Sequence, residues 1–553
     1  MSYSFDVIRE PWIRVRTLEG SFEKVSVREL FENGHKYKEI SEPNMFYAYG
    51  IHNFLIALFA SVYDMQTIED KADVLEEGQF NMTRFDSYIE KCERNRPSCF
   101  NLFGENPFYQ NKYAKYKVSP KDTYTIKDIP KLKIKDTAMI GKIALDIPSG
   151  NNSVHFVSDS LVGKSLSFDE TTKALVSYGL FQAGQDGPNS ANGVNGGMNY
   201  PLYFMIKGNN VFETIVLNTI TAQMWHFVLS DRIPYIGNAA WEMESNIVPK
   251  QATKSVSMVE GLTFQNRSVL IASVNKDNCI GDIYFGPDRV FETEKGVNSL
   301  WRQPNAAYRH VKDKKTGGEL PEIYPLSMNR PTDIWTEVGN MFRVNSTKDI
   351  QPLTVQEYLT LIDEYDLADK GYTKMTMPYQ VYYICIDGGK FPPKKQGIYE
   401  SFIPICLLKD SEKLNAFCTM IDHTSSVGRY MNSESIRLGK NMDKDLKAKW
   451  QKKFAEGYYA YIDTELLPTF LNEISDIEKF DMLYEEFVVN VKTKAVTEFT
   501  SAILSANSRG LYKQDNGSFK GAYGVVNDDI RRLRGTINKI FGIESRKEIK
   551  END

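Results

Sequence analysis

The clearest alternation of apolar and polar positions lies near the start of the chain, where Trp12-Ile13-Arg14-Val15-Arg16 reads as a strand with one buried face. Glu19-Gly20-Ser21 supplies a turn and Phe22–Val27 a second strand, so the opening predicts a β-hairpin. The period then lengthens. Phe46, Tyr49, Asn53-Phe54, Ala57-Leu58 and Val62 recur at helical spacing, with Pro43 suited to the first turn. His52 falls within this helix, has no identifiable partner, and is read as structural. From residue 100 to 400, short β-type runs such as Tyr203–Ile206 and Tyr382–Ile386 sit among loops rich in Gly, Asn and Pro. No βαβ alternation emerges, which argues against a doubly wound nucleotide-binding sheet, and no internal repeat is found.

After about residue 400 the pattern becomes helical. Ile405, Leu408, Leu414, Phe417-Cys418 and Ile421 form one stripe, and Leu446–Tyr461 gives another through Trp450, Phe454, Tyr458 and Tyr461. A third opens at Ser475, with Glu478 completing a capping-box pattern, and continues through Phe480, Tyr484, Phe487-Val488, Val491, Ala495 and Phe499. The fourth follows Asn527 through Ile530, Leu533, Ile537 and Ile540-Phe541. These are core positions of a helical bundle. The expected fold class is therefore α+β: a large mixed domain over residues 1–400 with irregular loops, then a C-terminal four-helix bundle over 401–553.

Composition narrows the class. The chain has 553 residues, 42% hydrophobic and 25% charged, too apolar for a disordered chain. Its longest apolar stretch, Phe54 to Val62, is well short of the roughly 20 residues that span a bilayer. The first residues include Asp6, Arg9 and Glu10 rather than an apolar signal core, so a soluble, cytoplasmic protein is expected. Lys+Arg is 67 against Asp+Glu 72, a net charge of −5, so any nucleic-acid contact must come from local clusters. Cys92, Cys99, Cys279, Cys385, Cys406 and Cys418 contain no C-x-x-C pair, so neither a disulfide framework nor a zinc site is predicted.

Four stretches could bind a ligand. Lys112 to Lys142 holds nine lysines and three aspartates, without Arg or Glu, and Tyr109, Tyr113, Tyr116 and Tyr124 lie within or beside it. Lysines neutralise phosphates and tyrosines stack on unpaired bases, which suits single-stranded nucleic acid; a solvated lysine-rich loop fits the composition equally. Pro148 to Phe156 exposes peptide groups beside His155 and Phe156, and a plain surface turn also accounts for it. Ala183 to Asn199 carries Gly184, Gly187, Gly193, Gly196 and Gly197 among asparagines, but Met198 follows the last Gly pair where a phosphate-binding P-loop wants Lys. Asp387 to Gly397 follows an apolar run and reads as a projecting turn whose lysines could hold a DNA backbone while a Gln-Gly tip enters a groove. Catalytic constellations are missing: there is no H-E-x-x-H or G-x-S-x-G, the six histidines do not cluster, and Glu485-Glu486 reads as a solvated helix face. No enzyme activity and no cofactor are predicted.

In their order along the chain these segments resemble the CasA-type large subunit of the type I-E CRISPR surveillance complex, Cascade. Glu10-Pro11-Trp12-Ile13-Arg14-Val15 resembles the family's opening strand, and Asn106-Pro107-Phe108-Tyr109-Gln110 its H-P-F-x-Q segment with Asn106 in place of His. Gly150 to Phe156 is similar to its RNA-facing loop, and Leu180-Phe181-Gln182 with the Gly/Asn run to its glycine loop. Leu300-Trp301-Arg302-Gln303-Pro304 resembles a later L-W-x-x-P element, and Gly388-Gly389 through Lys395-Gln396-Gly397 the glutamine-wedge hairpin.

The resemblance implies a non-catalytic subunit that tests double-stranded DNA for a protospacer-adjacent motif, starts strand separation for guide-RNA pairing, and helps recruit a helicase–nuclease in antiviral defence. Its implied partners are the guide RNA 5′ handle, target DNA and the other Cascade subunits, with no membrane. By position, Asn152, Ser153, His155 and Phe156 would meet the RNA handle or neighbouring subunits. Asn189, Ser190, Ala191, Asn192 and Gly193 would form the motif-reading loop, here without glycine before Gly193. Gln396 and Gly397 would be the wedge, Lys395 a groove-reading residue, and Arg289, or else Lys295, the basic finger. Lys447, Lys449, Lys452 and Lys453 of the bundle would help hold the displaced strand. Some members carry a cysteine cluster near the finger; only Cys279 stands here, so no metal is expected. The reading from a different class is an enzyme that binds a phosphorylated small molecule in the 184–199 loop.

Overall fold

The computed structural model describes residues 3–118, 126–144, 165–181, 201–229, 233–245, 252–253, 256–265, 267–291, 301–312, 316, 318–328, 333–344, 346, 349–365, 375–385, 395–438, 455–474, 476–507, 511–513 and 519–543. The chain divides into two compact units. One comprises Met1–Pro331, Thr347–Thr373 and Pro378–Glu400; the other Thr332–Ser346, Lys374–Met377 and Ser401–Asp553.

In the first unit the opening alternation becomes an antiparallel pair, Ile13–Thr17 against Phe22–Val25, with Arg14 opposite Lys24 and Val15 opposite Glu23. Tyr37–Ile40 adds a third strand on the other edge of Ile13–Thr17. Trp12 is fully buried, and its indole N–H donates to Val7 O at 2.8 Å. The second strand stops two residues earlier than its apolar pattern suggests. Ser26 caps a helix over Val27–Asn33: its hydroxyl accepts from Glu29 N–H while its own N–H donates to the Glu29 carboxylate. That reciprocal pairing satisfies two otherwise orphaned N–H donors and overrides the strand preference of Val27.

The central helix spans Met45–Tyr63. Asn44, not Pro43, begins it, its side-chain oxygen accepting from Phe46 N–H at 2.9 Å; Pro43 stands outside the first turn. By length and composition this helix could cross a membrane, but 89% of its most apolar window is buried inside the unit. It is a core helix, apolar on nearly every side because other elements surround it. Helix Phe168–Phe181 packs on it so closely that a Cβ on Gly50 would lie 2.0 Å from the Ser177 hydroxyl oxygen. Each fully buried Leu, Ile or Phe on this helix contributes about 1.5–3 kcal/mol relative to exposure.

The sheets are small, as an α+β chain without crossover units predicts. Strand Tyr203–Ile206 pairs antiparallel with Thr376–Cys385, which neighbours Lys395–Pro404 on its other side. A second sheet orders Ala138–Met139, Asp282–Pro287 and Arg267–Ile271.

The second unit is built from long helices Ser411–Leu438, Phe480–Asn507 and Ala522–Ile540, each packed on the other two, with shorter helices Ile405–Lys409 and Leu467–Glu473. Their buried stripes include Leu414, Phe417, Ile421, Phe480, Phe487, Val491, Ala495, Phe499, Leu533 and Ile537. Asp476 caps the turn leading into the Phe480 helix, accepting from Glu478 N–H. Ser475 and residues 446–454 lie outside the described residues. The last helix starts at Ala522, so Asn527 sits within it rather than before it. A short hairpin, Leu511–Lys513 with Phe519–Gly521, precedes this helix.

Candidate nucleic-acid interface

Burial alternates along the strand that begins at Lys395. Gln396, Ile398 and Glu400 are exposed, while Lys395, Gly397 and Tyr399 are half-buried on the opposite face. The Tyr383 side chain of the neighbouring strand lies over Gly397: an added Cβ would be 3.0 Å from the Tyr383 hydroxyl oxygen. Glycine therefore allows the strand to lie against the Tyr383 ring and sets how Gln396 is presented.

The neighbouring strands carry an aromatic cluster on the face that Gln396 and Glu400 share, since Gln380 reaches both Glu400 and the Tyr382 hydroxyl. The Tyr49 and Tyr203 rings stack with centroids 4.0 Å apart, and Tyr382 lies 5.3 Å from Tyr49. Phe181, at the end of its helix, meets Tyr49 and Tyr203 edge-on. The polar tips are satisfied: Gln303 Nε2 donates to the Tyr49 hydroxyl at 2.9 Å, and the Tyr203 hydroxyl donates to Leu180 O at 3.0 Å. His52 Nδ1 donates to Ala48 O at 2.8 Å, and burial lowers its pKa to about 4. The neutral ring is thus a packing element, as its isolation in the sequence suggests.

This arrangement brings the borders of two distant segments together. Tyr203 pairs with Tyr382, Pro201 bridges Ser327, and Cys385 bridges Met328. The Gly/Asn segment therefore rejoins the described chain next to the point where the 386–394 segment leaves it. Both segments themselves lie outside the described residues, which include Asn189, Ser190, Ala191, Asn192 and Gly193 in neither case. The same holds for Asn152, Ser153, His155, Phe156 and Lys295, and for Lys447, Lys449, Lys452 and Lys453.

A polar chain that the sequence did not reveal runs away from the Gln396 face. Glu400 accepts from Gln380 Nε2 and, at 3.3 Å, from Lys207 Nζ. Lys207 also meets Glu39 at 3.0 Å, and Glu39 meets Arg16 at 3.0 Å. Partial burial raises the Glu400 pKa, but the Gln380 hydrogen bond and the Lys207 charge outweigh it, leaving the carboxyl more acidic than usual. These residues are scattered from 16 to 400, so no local motif could have announced them.

Arg289 is committed within the fold. Its guanidinium pairs with Glu260 and lies 4.5 Å from the centre of the Phe264 ring, and its backbone N–H donates to Asp288 Oδ1 at 2.9 Å. With Arg96, Asn111, Gln265 and Asp288 it lines a cavity of about 50 Å³. Asp288 is made less acidic chiefly by burial, against hydrogen bonds from Ser268 and Asn111. Tyr109 is likewise structural: it is buried beside Phe108 and Trp241, so it does not join the half-buried Tyr113 and Tyr116 as a stacking surface. Phe108, Trp301 and Gln303, which carry much of the sequence resemblance, are also buried. Among the described residues no group of three or more His, Cys, Asp or Glu could hold a metal, and all six cysteines are free.

A mixed α+β fold with an exposed-glutamine hairpin and a helical C-terminal unit defines a class that comparison with other proteins makes specific. The family described as CRISPR-associated protein Cse1 (CRISPR_cse1) matches residues 6–497, and this chain belongs to it. The Cse1 of Acidimicrobium ferrooxidans covers 98% of this chain and 99% of its own at 15% identity, with a TM-score of 0.70. Thermus thermophilus CasA (Cse1) covers 96% and 99% at 18% identity and a TM-score of 0.67. A chain of a structure titled "CRISPR RNA-guided surveillance complex" covers 97% and 99% at 16% identity and a TM-score of 0.59. No curated protein sequence matches the chain.

Proposed function

We propose that this chain is the large subunit of a type I-E Cascade complex, working in the cytoplasm without bond-breaking chemistry of its own. It tests duplex DNA for a protospacer-adjacent motif, opens the first base pairs so that guide RNA can pair, and offers a docking surface to a helicase–nuclease. The guide RNA handle and the smaller Cascade subunits are its standing partners. One observation carries the reading: in a Cse1-family chain, Gln396 is exposed at the root of a hairpin whose partner strand is held by Tyr382 in the Tyr49–Tyr203–Tyr382 cluster.

The physical logic is that of a wedge. Separating stacked pairs costs about 1.4 kcal/mol per step, which guide pairing and backbone contacts must offset. A side chain can act between pairs only if its base does not yield, and strands anchored in an aromatic core meet that need. The minor groove separates A·T from G·C and little else, which suits a permissive test by a short polar loop.

The test is R-loop formation on motif-bearing duplex by the reconstituted complex. Gln396→Ala alone, and Gln396→Ala with Gly397→Asp, should slow opening at least roughly tenfold, the equivalent of one stacking step. Complex assembly should be intact. R-loop formation at the wild-type rate in both variants removes the wedge role.

A further inference from the structure

The lysine- and tyrosine-rich segment is not used by the wedge, yet its geometry is distinctive. Lys117 N–H donates to Lys133 O at 2.8 Å and Lys135 N–H to Lys115 O at 2.9 Å, closing an antiparallel bridge around Tyr116 and Ile134. That is the wide, non-hydrogen-bonded pair of a ladder. Because side chains alternate, Tyr116 and Ile134 share one face and Lys115, Lys117, Lys133 and Lys135 share the other. Lys117 thus stands opposite Lys133, and Lys115 opposite Lys135.

Like charges placed directly opposite are destabilising. The fold relieves only part of this. Lys135 turns inward, its Nζ donating to Phe285 O at 2.8 Å, and Lys115 Nζ lies 5.3 Å from the centre of the Tyr116 ring. Lys117 and Lys133 remain exposed, as do Lys127 and Lys131 of the connecting turn Ile126–Lys131. Among the described residues none of these four has a carboxylate partner. Four exposed lysines without a carboxylate partner thus sit on this β-bridge and its connecting turn, a concentration of positive charge suited to an anion.

We propose that this lysine face is a sequence-independent contact for the sugar–phosphate backbone of a nucleic acid. Lysine heads are point charges that accept phosphate from many directions, so they position a backbone without reading bases. The inference relies on the Cascade reading only for choosing nucleic acid among polyanions.

The experiment uses the full chain assembled in its complex, with Lys117→Ala plus Lys133→Ala and, separately, Lys117→Arg plus Lys133→Arg. Binding to a short duplex DNA and to a single-stranded RNA is followed across salt concentrations. For the backbone the face grips, the alanine pair should reduce the slope of log K against log salt by about 1.8 on duplex DNA or about 1.4 on single-stranded RNA, at roughly 0.9 and 0.7 per phosphate contact. The arginine pair should keep the slope. Loss should be equal for motif-bearing and motif-free duplex, leaving their affinity ratio unchanged; the wedge variants should do the reverse, so the two readings fail separately. An unchanged slope on both probes overturns the inference. So does lysine-dependent capture on anionic-lipid vesicles without any change on nucleic acid. A lowered melting temperature in both variants would mark a packing role and overturn it too.

Discussion

The Lys71 ammonium and the Glu357 carboxylate meet at 2.6 Å with side-chain exposures of 0% and 2%. The pair ties helix Ile68–Glu77 to helix Leu353–Glu364 across 286 residues of chain. All three ammonium protons and both carboxylate oxygens are engaged. Lys71 also donates to Leu217 O and Thr219 O, and Glu357 accepts from Thr221 N–H and its hydroxyl. Removing one partner leaves the other charge buried and unpaired. Lys71→Met should therefore cost about 3–5 kcal/mol, whereas Lys71→Met with Glu357→Leu should recover much of it. Denaturant midpoints of the two variants measure the difference.

His52 makes stability depend on pH. Burial holds its folded pKa near 4, below the ordinary 6.5, so between those values the unfolded chain binds a proton that the folded chain does not. Stability then rises with pH across this window and falls as acid is added. From pH 7 to pH 5 the loss from this residue should be about 2 kcal/mol. His52→Gln should show a smaller acid loss than the parent when urea midpoints are compared at the two pH values.

The close approach at Gly397 predicts strain without a change of backbone conformation. Gly397→Ala places a methyl group 3.0 Å from the Tyr383 hydroxyl and 3.3 Å from its ring. Overpacking of this kind costs about 1–3 kcal/mol. Tyr383→Phe removes the nearest atom and should recover part of that cost in the double variant, as read by thermal unfolding.

The six thiols should differ in reactivity. Burial raises the pKa of Cys92 and of Cys99 to about 12, leaving almost no thiolate at neutral pH. Cys279 is partly exposed. Brief alkylation of the native protein should modify Cys279 while sparing Cys92 and Cys99, as peptide mass spectrometry would record. Rapid modification of Cys92 would contradict its burial.

The legible parts of the fold were those whose information is local. The Trp12–Arg16 alternation, the Phe46–Val62 helix and the C-terminal stripes through Leu414–Ile421, Phe480–Phe499 and Ile530–Ile540 appear where the pattern placed them, because periodicity reports which face is buried. Ends were less readable. Pro43 and Asn44 are both plausible first residues for one helix, and only the observed bond to Phe46 N–H separates them. The Ser26–Glu29 box was present in the sequence but masked by a β-branched neighbour.

The candidate site divides along the same line. The projecting turn after Tyr382–Ile386 was readable in advance, but its Gln-Gly tip was not: Gln396 and Gly397 lie within strand Lys395–Pro404, at the root of the turn. Arg289 could be named as a cation but not seen to be paired with Glu260, and Tyr109 could be counted among the tyrosines but not seen to be core. Residue order along the chain thus sufficed for the class, for most elements and for the family, because these depend on neighbours a few positions apart. Which charges meet was settled by folding alone: Lys117 faces Lys133, and Glu400 reaches Arg16 through Lys207 and Glu39. Electrostatic energy depends on distance through space, and strand pairing sets those distances between positions that the sequence holds far apart.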